Sequence, residues 1–267
     1  MRIHHLSCGT MCPHMVGQMP CHCLLLETPS DGLVLVETGL GTEDIARAKE
    51  RFSRSWRLLA RPALDLEETA IRQVERLGFD ARDVRHVVVT HLDLDHAGGL
   101  PDFPDATVHV HAKERDAAMR REGRRARGRY VPAHFAHGPK WKTYDGGGER
   151  WFGFEAVRAI GDEVLLVPLP GHTPGHSAVA VRDGGRWLLH CGDGFFHRST
   201  LAGGRPPLLL RWFERRVETD AATRIRNAAR LADLARDHGD EVRIFNAHDP
   251  VLFEQARAAR PSVHTAM

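Results

Sequence analysis

The sequence predicts an α/β sandwich, on three observations. Strand-length apolar runs fall into two groups, segments of helical periodicity are interspersed among them, and an Arg-, Gly- and Pro-rich stretch parts the groups without forming a clear linker. With 267 residues the chain can bury roughly three quarters of its unfolded surface in a large core. It is read as one domain over residues 1–267, with a loop-like insertion at about 120–155.

The elements follow in order. Cys21–Glu27 and Leu33–Glu37, joined by the turn sequence TPSDG, read as a β-hairpin. Gly39 and Gly41 break the second strand, and Glu43–Arg51 reads as a helix. Leu66–Leu77 repeats its apolar residues at helical spacing, with Gly78 as the stop. Arg85–Thr90 (RHVVVT) is a short, continuous β-branched run of the kind buried strands show. Thr107–Val110 is a further strand and Lys113–Arg121 a helix. In the second half Val164–Val167, Ser177–Val181 and Trp187–His190 read as strands, Thr219–Asp237 as helical, and Arg243–Asn246 as a last strand.

Composition narrows the class. Hydrophobic residues at 42% and charged residues at 27% exclude a disordered or collagenous chain. The net charge is only +2, from 37 basic and 35 acidic residues, which argues against a nucleic-acid partner. No apolar run approaches the roughly 18–20 residues of a membrane span, and MRIHHLSCGTMCPHM lacks a signal peptide's apolar stretch. Five cysteines, an odd count, then point to reduced thiols and a cytoplasmic protein. Cys8-x3-Cys12 and Cys21-x-Cys23 offer donors for a structural zinc. The plainer reading is a strand whose alternate cysteines face a core.

Histidine carries the chemistry, with 18 in the chain. In THLDLDHAGG, directly after the buried strand, His91, Asp93, Asp95 and His96 fall within six positions. Residues two apart in an extended segment point the same way, so His91 and Asp93 can address one ion. The turn that follows can swing Asp95 and His96 toward a second. Three more strand ends deliver ligand-type residues: His172 in PGHTPGH, Asp193 in LHCGDGFF and His248 in FNAHDP. Imidazole with carboxylate suits zinc, iron or manganese.

The order HxxxDH, GHTPGH, GD and a late histidine resembles the metallo-β-lactamase superfamily over nearly the whole chain. The resemblance implies a four-layer αβ/βα sandwich with a dinuclear centre at the sheets' edge. His91, Asp93 and His172 would hold one ion, Asp95, His96 and His248 the other, and Asp193 would bridge them. It also implies hydrolysis by a metal-bound hydroxide, with Asp95 orienting the nucleophile and shuttling its proton. Two divalent ions are expected, zinc foremost. Asp93 stands where the family's second histidine is usual, which hardens the site toward iron or manganese. Glu37 stands where an outer Asp is usual.

Among the branches, the acyl-homoserine lactonases resemble the chain best in motif spacing and in the closing HDP. A metal-dependent hydrolase of a small ester or lactone is the expectation. A phosphoester or thioester hydrolase and a diiron redox or metal-binding protein are the alternatives. Lactonases usually carry tyrosine three residues after the bridging Asp, where this chain has Phe196. Tyr130 and Tyr144 are then the substitutes a mobile insertion could supply, and Trp141 a candidate pocket wall. Arg120–Arg129, with six arginines, is a solvated helix end or a basic flap over the site. The expected partner is a small-molecule substrate, without nucleic acid or membrane, and the protein a monomer or homodimer.

Overall fold

The computed structural model describes residues 1–259. Two mixed, six-stranded sheets stack face to face. The first runs β1 (Arg2–Met11), β2 (Met19–Glu27), β3 (Leu33–Val36), β4 (Val84–Val88), β5 (Thr107–His111), β6 (Lys140–Tyr144). The second runs β12 (Val242–Phe245), β11 (Arg186–His190), β10 (Ser177–Asp183), β9 (Val164–Pro168), β8 (Phe154–Ile160), β7 (Glu149–Trp151). Among the described residues ten α-helices join them: α1 (Thr42–Ala46), α2 (Ala48–Arg51), α3 (Arg54–Ala60), α4 (Ala70–Arg76), α5 (Leu94–Ala97), α6 (Ala112–Arg120), α7 (Gly123–Arg129), α8 (Leu208–Val217), α9 (Ala221–Asp237) and α10 (Pro250–Ala258).

The side-chain period of two explains the layering. On β2, Leu24 and Leu26 meet Val34, Val36 and Val88 and face the second sheet's Leu166, Val179 and Val181. The alternate residues Cys23 and Leu25 face outward onto Ala70 and Val74 of α4. On β9, Val164 and Leu166 join the inter-sheet core, while Leu165 and Val167 pack under Leu231 and Leu234 of α9. Strands covered on both faces need apolar residues at every position, which is why these segments read as unbroken runs. The predicted sandwich is therefore the observed fold.

The hairpin pairs in the register Leu24↔Val36, and Gly78 adopts φ +90 where α4 has ended. The predicted helix 43–51 is two short ones that break at Arg47. Four strands escaped the sequence reading: β1, β6, β7 and β8. The stretch 120–155, expected as a loop-like insertion, instead supplies α7 and β6, which pairs in parallel with β5, and then β7 at the far edge of the second sheet. KWKTY makes an edge strand rich in exposed lysine, the composition that guards an edge against further pairing. The N-terminal cysteines belong to this framework. Cys8 on β1 and Cys21 and Cys23 on β2 are buried, and Cys12 is half-buried. Among the described residues the four form no common ligand group; Cys21 lies instead with Asp95 and His248. No helix of the described residues is long and apolar enough to cross a membrane.

Candidate metal centre

Four strand ends converge on one edge of the sandwich. The loop after β4 carries His91 and Asp93 and turns into α5, which holds Asp95 and His96. The loop between β9 and β10 carries His172, the loop after β11 carries Asp193, and the loop after β12 carries His248. Tight turns make the convergence possible. Gly192, at φ +48, has no room for a side chain, because a Cβ there would lie 2.4 Å from Thr90 Oγ1.

All seven side chains meet at this edge, six of them in two sets that share Asp193. Its Oδ2 lies 3.3 Å from His172 Nε2 and 3.8 Å from His91 Nε2. Its Oδ1 lies 3.0 Å from His248 Nε2 and 3.3 Å from His96 Nε2. Asp93 Oδ2 joins the first set, 3.0 Å from His172 Nε2 and 3.4 Å from His91 Nε2. Asp95 Oδ2 borders the second, 3.6 Å from His248 Nε2 and 4.0 Å from His96 Nε2, in a group with Cys21 and His248. Donors about 2.1 Å from a tetrahedral ion stand roughly 3.4 Å apart, so these separations match two coordination shells.

The polar bookkeeping points the same way. His91 Nε2, His96 Nε2, His248 Nε2 and Asp193 Oδ1 are buried and make no acceptable hydrogen bond among the described residues. Buried polar atoms left without partners are costly. Four of them aimed at common points fit bound cations. The opposite nitrogens are held in place: His91 Nδ1 by Thr90 Oγ1 at 2.9 Å, His248 Nδ1 by the Pro20 carbonyl at 2.8 Å, and His96 Nδ1 by Glu37 Oε2. Such contacts fix ring orientation and leave Nε2 as the inward donor. His176, also from the GHTPGH turn, donates through Nδ1 to the Leu169 carbonyl and accepts the Asp193 backbone N–H at 3.1 Å, steadying the shared carboxylate.

Charge is concentrated accordingly. Burial raises the Asp95 carboxyl above its ordinary value. Burial also opposes ionisation of Asp193, but the neighbouring His248, His96 and His172 outweigh it and hold that carboxyl well below its ordinary value. Glu37 does reach: its second oxygen accepts the Thr90 backbone N–H. It does so from a left-handed backbone at φ +67, a conformation that costs a non-glycine residue free energy and recurs at functional sites.

One residue of the site, Glu114, had not been foreseen, and another, Arg129, only as part of the arginine block. Glu114, fully buried on α6, accepts from Leu92 N–H at 3.0 Å, Gly175 N–H at 3.2 Å and Tyr130 O–H at 3.1 Å. It thereby ties the 90s loop to the 170s loop. Arg129, at the end of α7, donates through Nη1 to both Asp93 oxygens. The rest of the arginine block is mostly solvated. No local pattern could have separated Arg129 from its neighbours.

The cluster floors a cavity of about 330 Å³ whose walls are apolar, with Met11, Met19, Trp56, Leu209, Leu210 and Phe213 around Phe196. The Phe196 ring stacks on His248 with centroids 5.7 Å apart. Much of the wall comes from α8, which the sequence reading did not mark. The other substrate candidates lie elsewhere. Tyr130 is a core side chain bonded to Glu114. Tyr144 is bonded to His109 and to the Ala159 carbonyl, and Trp141 packs against Phe135. The register Val108↔Trp141 and His111↔Tyr144 holds both on the edge strand β6, and neither lines the cavity. An edge strand, unlike a mobile loop, cannot bring them to the site.

Comparison with known proteins gives the family. Residues 16–248 match the family model of the metallo-beta-lactamase superfamily, and the chain belongs to that superfamily. Proteins named "Probable metallo-hydrolase" in Mycobacterium tuberculosis and Mycobacterium bovis are 45% identical over 261 residues, 96% of this chain and 83% of theirs. An N-acyl homoserine lactonase of Agrobacterium fabrum is 31% identical over 192 residues, 71% of this chain and 67% of its own. A Bacillus thuringiensis structure with N-decanoyl-L-homoserine at its active site superposes with a TM-score of 0.70 at 22% identity, covering 97% and 96% of the two chains. That likeness is one of fold. The protein is a metallo-hydrolase related to lactonases.

Proposed function

We propose that the protein hydrolyses a small ester or lactone at a dinuclear divalent-metal centre. The observation that carries the reading is the shared carboxylate of Asp193, with one oxygen toward His91 and His172 and the other toward His96 and His248. His91, Asp93 and His172 would hold one ion and Asp95, His96 and His248 the other. Zinc is the first choice, and the carboxylate of Asp93 favours iron or manganese more than a third histidine would. When bound, such ions acidify water and polarise a carbonyl oxygen.

The chain's own residues do the rest. Asp95, its carboxyl raised by burial, takes the proton of the attacking water and passes it to the leaving alkoxide. The apolar walls exclude bulk water and accept an acyl group. Phe196 packs on His248 and offers no hydroxyl to the substrate. The lactonase relatives and a neighbour described as a dizinc quorum-quenching lactonase, at a TM-score of 0.56 and 21% identity, support the substrate class and the metal. The test is a panel of esters, lactones, thioesters and phosphoesters assayed on metal-loaded and chelator-stripped protein. Cleavage of a small ester or lactone that is lost with chelator and restored by metal is expected. Failure across the whole panel would overturn the proposal.

A further inference from the structure

We propose that Arg129 is a built-in competitor for the first half-site, so that one divalent cation binds tightly and the second binds only as the guanidinium withdraws. This rests on the dinuclear reading and adds to it an inequality between its halves.

Arg129 Nη1 lies 2.7 Å from Asp93 Oδ2, 3.0 Å from Asp93 Oδ1 and 3.0 Å from His172 Nε2. Those are the atoms with which Asp93 and His172 would meet a cation. An N–H directed at His172 Nε2 occupies the lone pair an ion needs, and the contact with both carboxylate oxygens offsets the charge that attracts it. In the second half-site His96 Nε2 and His248 Nε2 carry no such contact. A guanidinium stays charged across the accessible pH range, so the competition is between two cations for one set of donors.

The way out is visible in how α7 is held. Arg129 Nη2 donates to the Val217 carbonyl, and Arg125 Nη1 donates to the Glu218 carbonyl at 2.6 Å. These contacts dock α7 on the C-terminal end of α8. Gly123 and Gly128, the first and the last-but-one residues of α7, have open space where a side chain would be. Moving Arg129 off Asp93 therefore loosens a small helix that contains two glycines and belongs to neither sheet. The exchange of an Asp for the usual histidine at position 93 then has a structural counterpart: the carboxylate is the anchor that holds the competitor in place.

The experiment is calorimetric titration of the full, chelator-stripped chain with zinc and, separately, with manganese, on wild type and Arg129→Gln. Amide exchange over residues 123–129 is followed at one and two equivalents. Wild type is expected to show two classes of site. Arg129→Gln should tighten the weaker class about 10- to 100-fold, the range over which a charge-assisted contact shifts a coupled equilibrium. In wild type, exchange over α7 should rise with the second equivalent and not with the first. Two ions of equal affinity in wild type would overturn the proposal, as would a weaker class that Arg129→Gln leaves unchanged or loosens. Should Arg129→Gln fail to fold, the wild-type titration and exchange decide alone. None of these readouts involves turnover, so an inactive protein with two unequal sites refutes the hydrolase reading and keeps this one.

Discussion

Replacing Glu37 with Gln should weaken metal binding, and the structure sets the size of the effect. Both Glu37 oxygens accept hydrogen bonds, one from the Thr90 backbone N–H and one from His96 Nδ1–H, in a fully buried setting. An amide has a single oxygen, so Gln can satisfy only one of these donors and turns its own N–H toward the other. If the amide nitrogen faces His96, the ring relieves the clash by moving its proton to Nε2, the atom that points at Asp193 Oδ1. A protonated Nε2 cannot ligate. If the nitrogen faces Thr90 instead, a buried backbone donor loses its partner, at a cost of about 1–3 kcal/mol of folding stability. Loss of such a supporting contact lowers metal affinity about 10- to 100-fold, equivalent to roughly 1.4–2.8 kcal/mol. Competition titration against a chromogenic chelator measures the affinity, and thermal unfolding of stripped protein measures the stability. An affinity within about twofold of wild type together with unchanged stability of the stripped protein would show that Glu37 holds neither donor and would refute the reasoning, since one of the two losses is expected.

Three further outcomes bear on the chemistry. Asp95→Asn should cut turnover about 10²- to 10⁴-fold, the usual worth of a positioned proton acceptor, and bound metal measured in the same sample separates this from simple ion loss. Asp93→His exchanges a hard donor for a softer one, so competitive loading followed by elemental analysis should give more zinc relative to iron or manganese; an unchanged ratio counts against the argument. Phe196→Tyr adds a hydrogen-bond donor to the cavity base, and lactone turnover by the variant should rise without a matching change in metal content.

What could be read from the sequence was local. A continuous β-branched run marks a strand covered on both faces, and ligand-type residues just past its end mark a rim; RHVVVT followed by HLDLDH contains both within twelve residues. The same logic reached His172, Asp193 and His248, each beyond its own apolar run. Strands without such runs were not legible. In β1 two adjacent histidines and a serine interrupt the apolar residues, and β6 is an exposed KWKTY edge, so only pairing with a neighbouring strand, β2 or β5, defines either one. The meeting of the four strand ends was decided by the stacking of the two sheets. Tertiary contacts alone decided the rest of the site: that Tyr130 turns into the core onto Glu114, that Tyr144 and Trp141 stay with an edge strand, and that one of six arginines leaves solvent for Asp93. A side chain's neighbours at sequence separations of 16 or 36 leave no periodicity behind, because they depend on how whole elements pack and not on the residues beside it.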